Sequence, residues 1–412
     1  MKVPSEKRES VGSRLDEMMR EIREQPTIAA IVLEGFFTRL GFGMIGFALP
    51  LYALSIGMTI AEIGLLYALR SIVTVVIKPI MGEIADRLGR KRVLVTAILL
   101  RCLVGFFFIF ATLPWHLFAI RGLHGAMTAA RDPSAMALIA EHGNERRMAS
   151  TYALYMTARD FGRSLGYGLS GILIVMLGYR WVFFVAFIMS CAALFTVIRY
   201  VGEHKDPVPP AEQPEESTFD KRDAKNDSFH IGSYVKYAGF AMMVALTSEM
   251  MRGLFPVIAI QYANLTAAEA GMIASSASIV ILFSGPIFGW LSDRGNRKLV
   301  LSIRTIANGC SSLLYFYMPN FTGFFSGRLL DDIGKGAFRP AWGSVLAEMS
   351  GKNKSKRTRT MAIMDTSMTM GEILGPIIAG VLIAAFGIPF MFTVRICLAL
   401  VTEIQAFVIF RK

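Results

Sequence analysis

Charge is scarce in this 412-residue chain: Asp, Glu, Lys and Arg together make up 18% of it, whereas soluble domains run near ~25%. Histidine (5) and cysteine (4) are rarer still. Too few charges to cover a water-facing surface exclude an ordinary soluble enzyme. The abundance of apolar residues excludes a disordered chain. Cys102, Cys191, Cys310 and Cys397 all lie inside apolar stretches and share no metal or redox spacing, so they are expected to be reduced packing residues and not a disulfide framework. The sequence has no paired His/Asp metal spacing, no nucleophile elbow and no phosphate-binding loop, so no enzyme activity, no cofactor and no metal is expected. Residues 1–26 hold six basic and six acidic residues without an apolar run; a cytosolic segment is expected there, and no cleavable signal peptide.

Apolar sequence fills the rest. Hydrophobic residues are 54% of the chain, and the mean hydropathy is +0.49. From Thr27 onward, long apolar runs alternate with short polar breaks, predicting helices over 27–56, 60–83, 92–113, 115–140, 149–177, 179–200, 234–263, 267–290, 298–318, 320–347, 358–386 and 388–410. At ~1.5 Å per residue each can cross the ~30 Å of a bilayer core. The runs lack two-residue alternation, which excludes a barrel. The expected fold is therefore an all-α integral membrane protein of twelve transmembrane helices. Residues 201–233, rich in Pro, charge and small polar side chains, read as a cytosolic linker between bundles at 27–200 and 234–412.

The two bundles repeat one another. TIAEIG (Thr59–Gly64) recurs as TAAEAG (Thr266–Gly271) at an offset of 207, and Pro79, Gly82, Asp86, Arg121, Pro133 and Glu141 meet Pro286, Gly289, Asp293, Arg328, Pro340 and Glu348 in the same register. At an offset of 209, Gly162, Leu165, Gly166, Gly178 and Phe183 meet Gly371, Leu374, Gly375, Gly387 and Phe392. A register held over five runs implies a duplicated six-helix unit, a pattern from which many transporters are built.

The net charge of +12 would suggest nucleic acid in a soluble protein. Here 28 of the 43 Lys and Arg fall in or beside the connections on the side of the termini, and only Arg180 lies in the opposite connections. Basic connections stay in the cytoplasm. A multi-pass protein of the cell (inner) membrane with both termini cytoplasmic is expected, with no nucleic-acid partner.

Between the second and third runs stands Gly82-Glu83-Ile84-Ala85-Asp86-Arg87-Leu88-Gly89-Arg90-Lys91-Arg92, and its copy is Gly289-Trp290-Leu291-Ser292-Asp293-Arg294-Gly295-Asn296-Arg297-Lys298. With twelve runs and a central linker, this pair of loops resembles the major facilitator superfamily over essentially the whole chain after Thr27. The resemblance implies alternating access around a central cavity lined mainly by the first, fourth, seventh and tenth runs. It also implies gating-loop roles for Gly82, Asp86, Arg87, Gly89, Arg90, Gly289, Asp293, Arg294 and Arg297. Arg121-Gly122-Leu123-His124-Gly125 is similar to the basic motif of that superfamily's proton-coupled drug exporters. Their Gly-Pro antiporter motif belongs in the fifth run, which here reads Gly162-x-x-x-Gly166 without proline; the better match, Gly371-x-x-x-Gly375-Pro376, is in the eleventh.

A charge within a span costs several kcal/mol unless paired or wet, so such residues are candidate sites by default. Nine acids and fourteen basic residues fall within the runs, with eight basic to three acidic in the first bundle and six of each in the second. Arg328, Asp332, Lys335 and Arg339 share one helix face, as do Arg121 and Asp132. The expected cavity residues are Arg39, Arg121, Arg131, Glu249, Arg252, Arg328, Asp332, Lys335 and Arg339. The expected proton carriers are Glu34, Asp132 and Asp160, with Glu34 foremost at roughly 10 Å depth in the first run. Asp331–Lys335, Glu249–Arg252 and Asp160–Arg163 have the spacing of neutralising pairs, while Arg70, Lys78, Arg304, Arg395 and Glu403 are the weakest candidates. Excess arginine favours an anionic or amphipathic solute. The expectation is a monomeric secondary transporter of a small organic solute, driven by protons and preferring export; gating loops in both halves argue against a scaffold, which needs neither. Proton-coupled uptake, a lipid flippase and a non-transporting receptor or scaffold are the alternatives.

Overall fold

A computed structural model of the chain describes residues 26–142, 148–201, 231–293, 297–350 and 354–409. Six helices lie before the linker: α1 (Pro26–Ser55), α2 (Ile60–Leu88), α3 (Arg90–Phe110), α4 (Pro114–His142), α5 (Met148–Leu177) and α6 (Tyr179–Tyr200). After it come α7 (Ile231–Arg252), α8 (Phe255–Gln261), α9 (Ala267–Ser275), α10 (Ala277–Asp293), α11 (Arg297–Tyr317), α12 (Phe321–Ser350), α13 (Lys354–Phe386) and α14 (Ile388–Ile409). No strand occurs among the described residues. The segment expected as a linker lies, from 202 to 230, outside them.

Ten of the twelve expected runs are single helices, and two are broken. The seventh is split into α7 and α8, bent by 49° around Gly253 and Leu254, where Pro256 opens α8 without an N–H to donate backwards. The eighth is split at Ser276, whose hydroxyl donates to the Ile273 carbonyl at 2.8 Å, a local bond that competes with the helix ladder. Seven helices among the described residues are long and apolar enough to cross a membrane on those grounds alone, eight with α7–α8 taken as one bent span.

The sequence duplication is a structural one. In the first set, α1 packs on α5 and α6, α2 on α4, and α3 on α4 and α6; in the second, α7 packs on α13 and α14, α10 on α12, and α11 on α12 and α14. Each TxxE signal forms a capping box. The Glu62 N–H donates to Thr59 Oγ1 at 3.2 Å and the Thr59 N–H to Glu62 Oε2 at 2.7 Å; Glu269 and Thr266 do the same at 3.2 and 2.8 Å. Even the turns before them correspond: Gly57 has φ of 89° and Asn264, 207 residues on, has φ of 52°.

Contact between the two sets is made chiefly by α2 against α13 and α5 against α9. Both contacts are glycine on glycine. A Cβ added at Gly380 would sit 2.8 Å from the Ile60 carbonyl oxygen and 3.3 Å from Gly64 Cα; one added at Gly271 would sit 2.9 Å from the Tyr167 oxygen and 3.0 Å from Gly171 Cα. Gly64 and Gly271 are repeat partners, as are Gly171 and Gly380, so one seam has been made twice. It lies near the end bearing the 56–59 and 262–266 connections. Farther along the same α2–α13 contact, Lys78 Nζ lies 3.6 Å from Asp365 Oδ2 with both side chains exposed.

Candidate central cavity and its ion networks

Between the two sets lies a cavity of about 130 Å³. Its wall is arginine-rich because four neighbouring helices each contribute one: Arg39 from α1, Arg70 from α2, Arg101 from α3 and Arg121 from α4. Arg163 from α5 and Arg252 from α7 complete the set, opposed by Glu249 of α7 and Glu372 of α13. Phe42, Tyr67, Tyr167, Ser71, His124 and Thr128 fill the spaces between the charges. Of the expected cavity residues, Arg39, Arg121, Glu249 and Arg252 are thus on the wall.

Arg131 is not. It lies behind the wall, fully buried, where its guanidinium forks onto Glu34: Nε donates to Oε1 at 2.9 Å and Nη2 to Oε2. Its remaining arm donates to Asp132 Oδ1 at 2.6 Å. Asp132 also accepts from Arg159 at 3.2 Å and from Arg39 at 3.4 Å, and Thr38 donates to Glu34 at 2.8 Å. Two of the expected proton carriers, Glu34 and Asp132, therefore share one network with three arginines. The third, Asp160, accepts from Arg163 at 2.8 Å beside it on α5.

A second network occupies the other set of helices. Asp331 accepts from Arg304 at 2.9 Å, Arg395 at 3.3 Å and Lys335 at 2.6 Å; Asp332 accepts from Lys335 at 3.0 Å and Arg328 at 2.8 Å. Arg328, Asp332 and Lys335 do share a face of α12; none of them lines the cavity described above, Arg328 lies 5.2 Å over the Phe255 ring of α8, and it is the adjacent Asp331 that joins α12 to Arg304 of α11 and Arg395 of α14. Side chains pointing along one stripe of a helix must avoid lipid; a protein-filled interior satisfies that as well as water does. The side chain of Arg339 lies outside the described residues. All three short-range pairs expected from spacing form, with Glu249–Arg252 at 2.5 Å.

In the first gating loop Gly89, at φ of 90°, ends α2 and begins α3, a turn that favours glycine. Arg90 pairs with Glu141 of α4, and Arg87 with Glu83 one turn back at 2.5 Å, so both arginines are held within their own bundle. Gly82 faces open space, and Gly289 is 3.8 Å from Pro340. Arg294 and the side chains of Asp86, Asp293 and Arg297 lie outside the described residues.

Tyr67, Arg70, Arg101, His124, Arg163 and Glu372 were not among the expected cavity residues. Arg101 had a signal: it falls in the stripe Leu94, Ile98, Arg101, Gly105 and Phe108 that α3 buries. Arg70, among the weakest candidates by sequence, lines the cavity. Tyr67 is oriented by donating to the Gly46 carbonyl at 2.6 Å, and its ring is covered by Gly253, where a Cβ would approach to 2.8 Å.

Comparison with known proteins adds an independent line. The chain matches the Major Facilitator Superfamily over residues 31–251 and 237–412. A multi-drug resistance efflux pump PmrA homolog of Lactococcus lactis is 25% identical over 363 residues, covering 84% of this chain and 86% of its own. The multi-drug resistance efflux pump PmrA of Streptococcus pneumoniae is 24% identical over 390 residues, covering 90% and 92%. Among solved structures, the nucleoside transporter NupG superposes with a TM-score of 0.76 at 16% identity, covering 93% of this chain and 99% of that one. A bacterial homolog of the human lysosomal transporter Spinster, inward-facing and occupied, also gives 0.76, at 14% identity, covering 93% and 96%. At such identities the structural likeness speaks for fold alone.

Proposed function

The chain belongs to the major facilitator superfamily and is a transporter, not an enzyme; from that premise we propose that it exports an amphipathic organic anion by alternating access, driven by protons. The observation that carries the reading is the cavity wall, where six arginines face two glutamates among aromatic rings. Guanidinium groups in a poorly solvated site pair with carboxylate, sulfonate or phosphate oxygens, and Phe42, Tyr67 and Tyr167 offer an apolar body somewhere to lie. Export is favoured by the relatives, which are named efflux pumps. The chain is read as a monomer in the cell (inner) membrane with both termini in the cytoplasm, and the glycine seam as closure of the outer end.

Rocking of the two bundles supplies alternating access. Each carries its own buried ion network, so each moves as a unit and the charges inside it need not part. Proton coupling is assigned to Glu34 and Asp132, with Asp160 beside them. A proton on Glu34 removes the partner of Arg131, which then draws on Asp132 and so loosens Arg39 at the cavity wall. Cargo affinity and proton occupancy are linked through that relay.

The test is flux. Proteoliposomes with an imposed pH gradient are offered a mixture of organic anions and cations, and movement of each is read by mass spectrometry. Anions moving against the proton flow are expected. Lipophilic cations moving alone would remove the anion reading, anions moving with the protons would make it an uptake symporter, and no flux of any solute would leave a scaffold of the same fold.

A further inference from the structure

The six cavity arginines are not alike. Arg39, Arg163 and Arg252 each have a carboxylate partner, in Asp132, Asp160 and Glu249. Arg70, Arg101 and Arg121 have none among the described residues. Arg70 is half-exposed and reaches Ser71 at 3.5 Å. Arg101 and Arg121 are each 4% exposed. Arg101 Nε and Nη1 and Arg121 Nε meet no hydrogen-bond acceptor.

Both side chains are nevertheless fixed. The Arg101 guanidinium lies 4.2 Å above the Phe42 ring, and the other partner of that ring is His124 at 4.1 Å. Arg121 lies 4.6 Å over Tyr67 and contacts His124 Nδ1 through Nη1 at 3.1 Å. An arginine N–H can only donate, so His124 Nδ1 accepts and the ring carries its proton on Nε2. The arrangement is a row, Arg101–Phe42–His124–Arg121, with donors at both ends and two rings between.

We propose that Arg101 is the headgroup site for one planar oxyanion, a carboxylate or sulfonate on an aromatic or alkyl body, with its unpartnered N–H groups as donors and Phe42 as the apolar floor. The inference rests on the reading of the cargo as an organic anion and adds to it where the charge sits. A buried guanidinium without acceptors is costly, and a structural arginine in this protein avoids that cost. Arg395, fully buried, donates to the Thr247 carbonyl at 2.9 Å, Ser312 at 2.7 Å and Asp331 at 3.3 Å. Arg131 is likewise shared between Glu34 and Asp132. Arg101 has a place but no carboxylate within ion-pair distance among the described residues, which is how a site preorganised for an anion differs from a site built for the fold.

Stability and binding separate the two. Purified full-length protein in detergent is titrated by calorimetry with 2-naphthoate, 2-naphthalenesulfonate, 2-naphthalenemethanol and 2-naphthyltrimethylammonium, and its thermal unfolding is followed without ligand. The wild type is expected to bind the two anions and neither control. Arg101→Met is expected to lose the anions by about 10-fold or more, while unfolding at the same or a higher temperature than the wild type, because an unsatisfied charge has gone. Arg101→Lys is expected to keep the fold and lose much of the affinity, the planar fork being absent. Arg395→Met, the structural comparison, is expected to unfold at a lower temperature. The pocket is overturned if the wild type binds neither anion, if Arg101→Met binds them as the wild type does, or if it loses stability as Arg395→Met does. Flux of anions with Arg101→Met unimpaired would sink the pocket alone, whereas absence of anion flux in the wild type would sink the reading beneath it.

Discussion

Replacing Gly380 with alanine should shift the balance between the two access states without touching the cavity. The added Cβ would stand 2.8 Å from the Ile60 carbonyl oxygen, 3.2 Å from Ala61 Cα and 3.3 Å from Gly64 Cα. Ordinary carbon contacts begin near ~3.5 Å, so the backbones of α2 and α13 must separate by roughly 0.5 Å or more at this point. None of the three atoms is the end of a flexible side chain, and the clash cannot be relieved by a rotamer change. Overpacking of this kind costs about 1–3 kcal/mol. The cost falls on the state in which the seam is closed, so the equilibrium should move about 5–150-fold toward the state in which it is open. Spin labels placed near Ser55 and Phe386, with the native cysteines removed, would report the separation of the bundles at that end by pulsed electron resonance. A population at longer distance is expected to grow in Gly380→Ala and in its repeat-related counterpart Gly271→Ala. Unchanged distance distributions in both would refute the assignment of the seam as a state-specific contact.

Other outcomes follow from the same geometry. Glu34→Gln should abolish flux driven by a pH gradient while leaving 2-naphthoate binding measurable; unchanged flux in proteoliposomes would remove Glu34 from the coupling. Asp331→Asn removes the shared counter-ion of Arg304, Arg395 and Lys335, and breaking a buried pair costs about 3–5 kcal/mol, so unfolding in detergent should begin at a clearly lower temperature. Thr266→Ala loses the cap of the short helix α9 and should cost about 0.5–2 kcal/mol, read in the same melting experiment; loss of less than the scatter would show that the helix end is held by packing alone.

Much of the fold was legible because it is written locally. Twelve apolar runs and their polar breaks need only neighbouring residues to be seen, and the 207-residue echo needs only the sequence laid against itself. The two breaks were less legible, because Pro256 and Ser276 have counterparts inside unbroken helices, Pro79 in α2 and Ser134 with its bond to the Ala130 carbonyl in α4, so neither residue type alone marks a break. The candidate site divides in the same way. Pairs three or four residues apart, such as Glu249–Arg252, follow from helix pitch. Glu34 with Arg131, 97 residues apart, and Arg395 with Asp331, 64 apart, depend on which helices meet. Helix phase told that Arg328, Asp332 and Lys335 face away from lipid, but phase does not say whether protein or water lies opposite. For that reason Arg131, expected on the wall, is found in a network behind it, and Arg101, for which no place was expected, is found on the wall.

The contact between α2 and α13 has two ends of different character. At one, Gly64 and Gly380 meet through backbone alone; fourteen residues along α2, about 21 Å at the pitch of a helix, Lys78 and Asp365 meet as exposed charges. Ionic strength and pH can weaken the second contact and have no group to act on at the first. Under the proposed rocking, the ionic medium acts on the α2–α13 contact at its Lys78–Asp365 end, whereas its Gly64–Gly380 end responds to shape and not to charge.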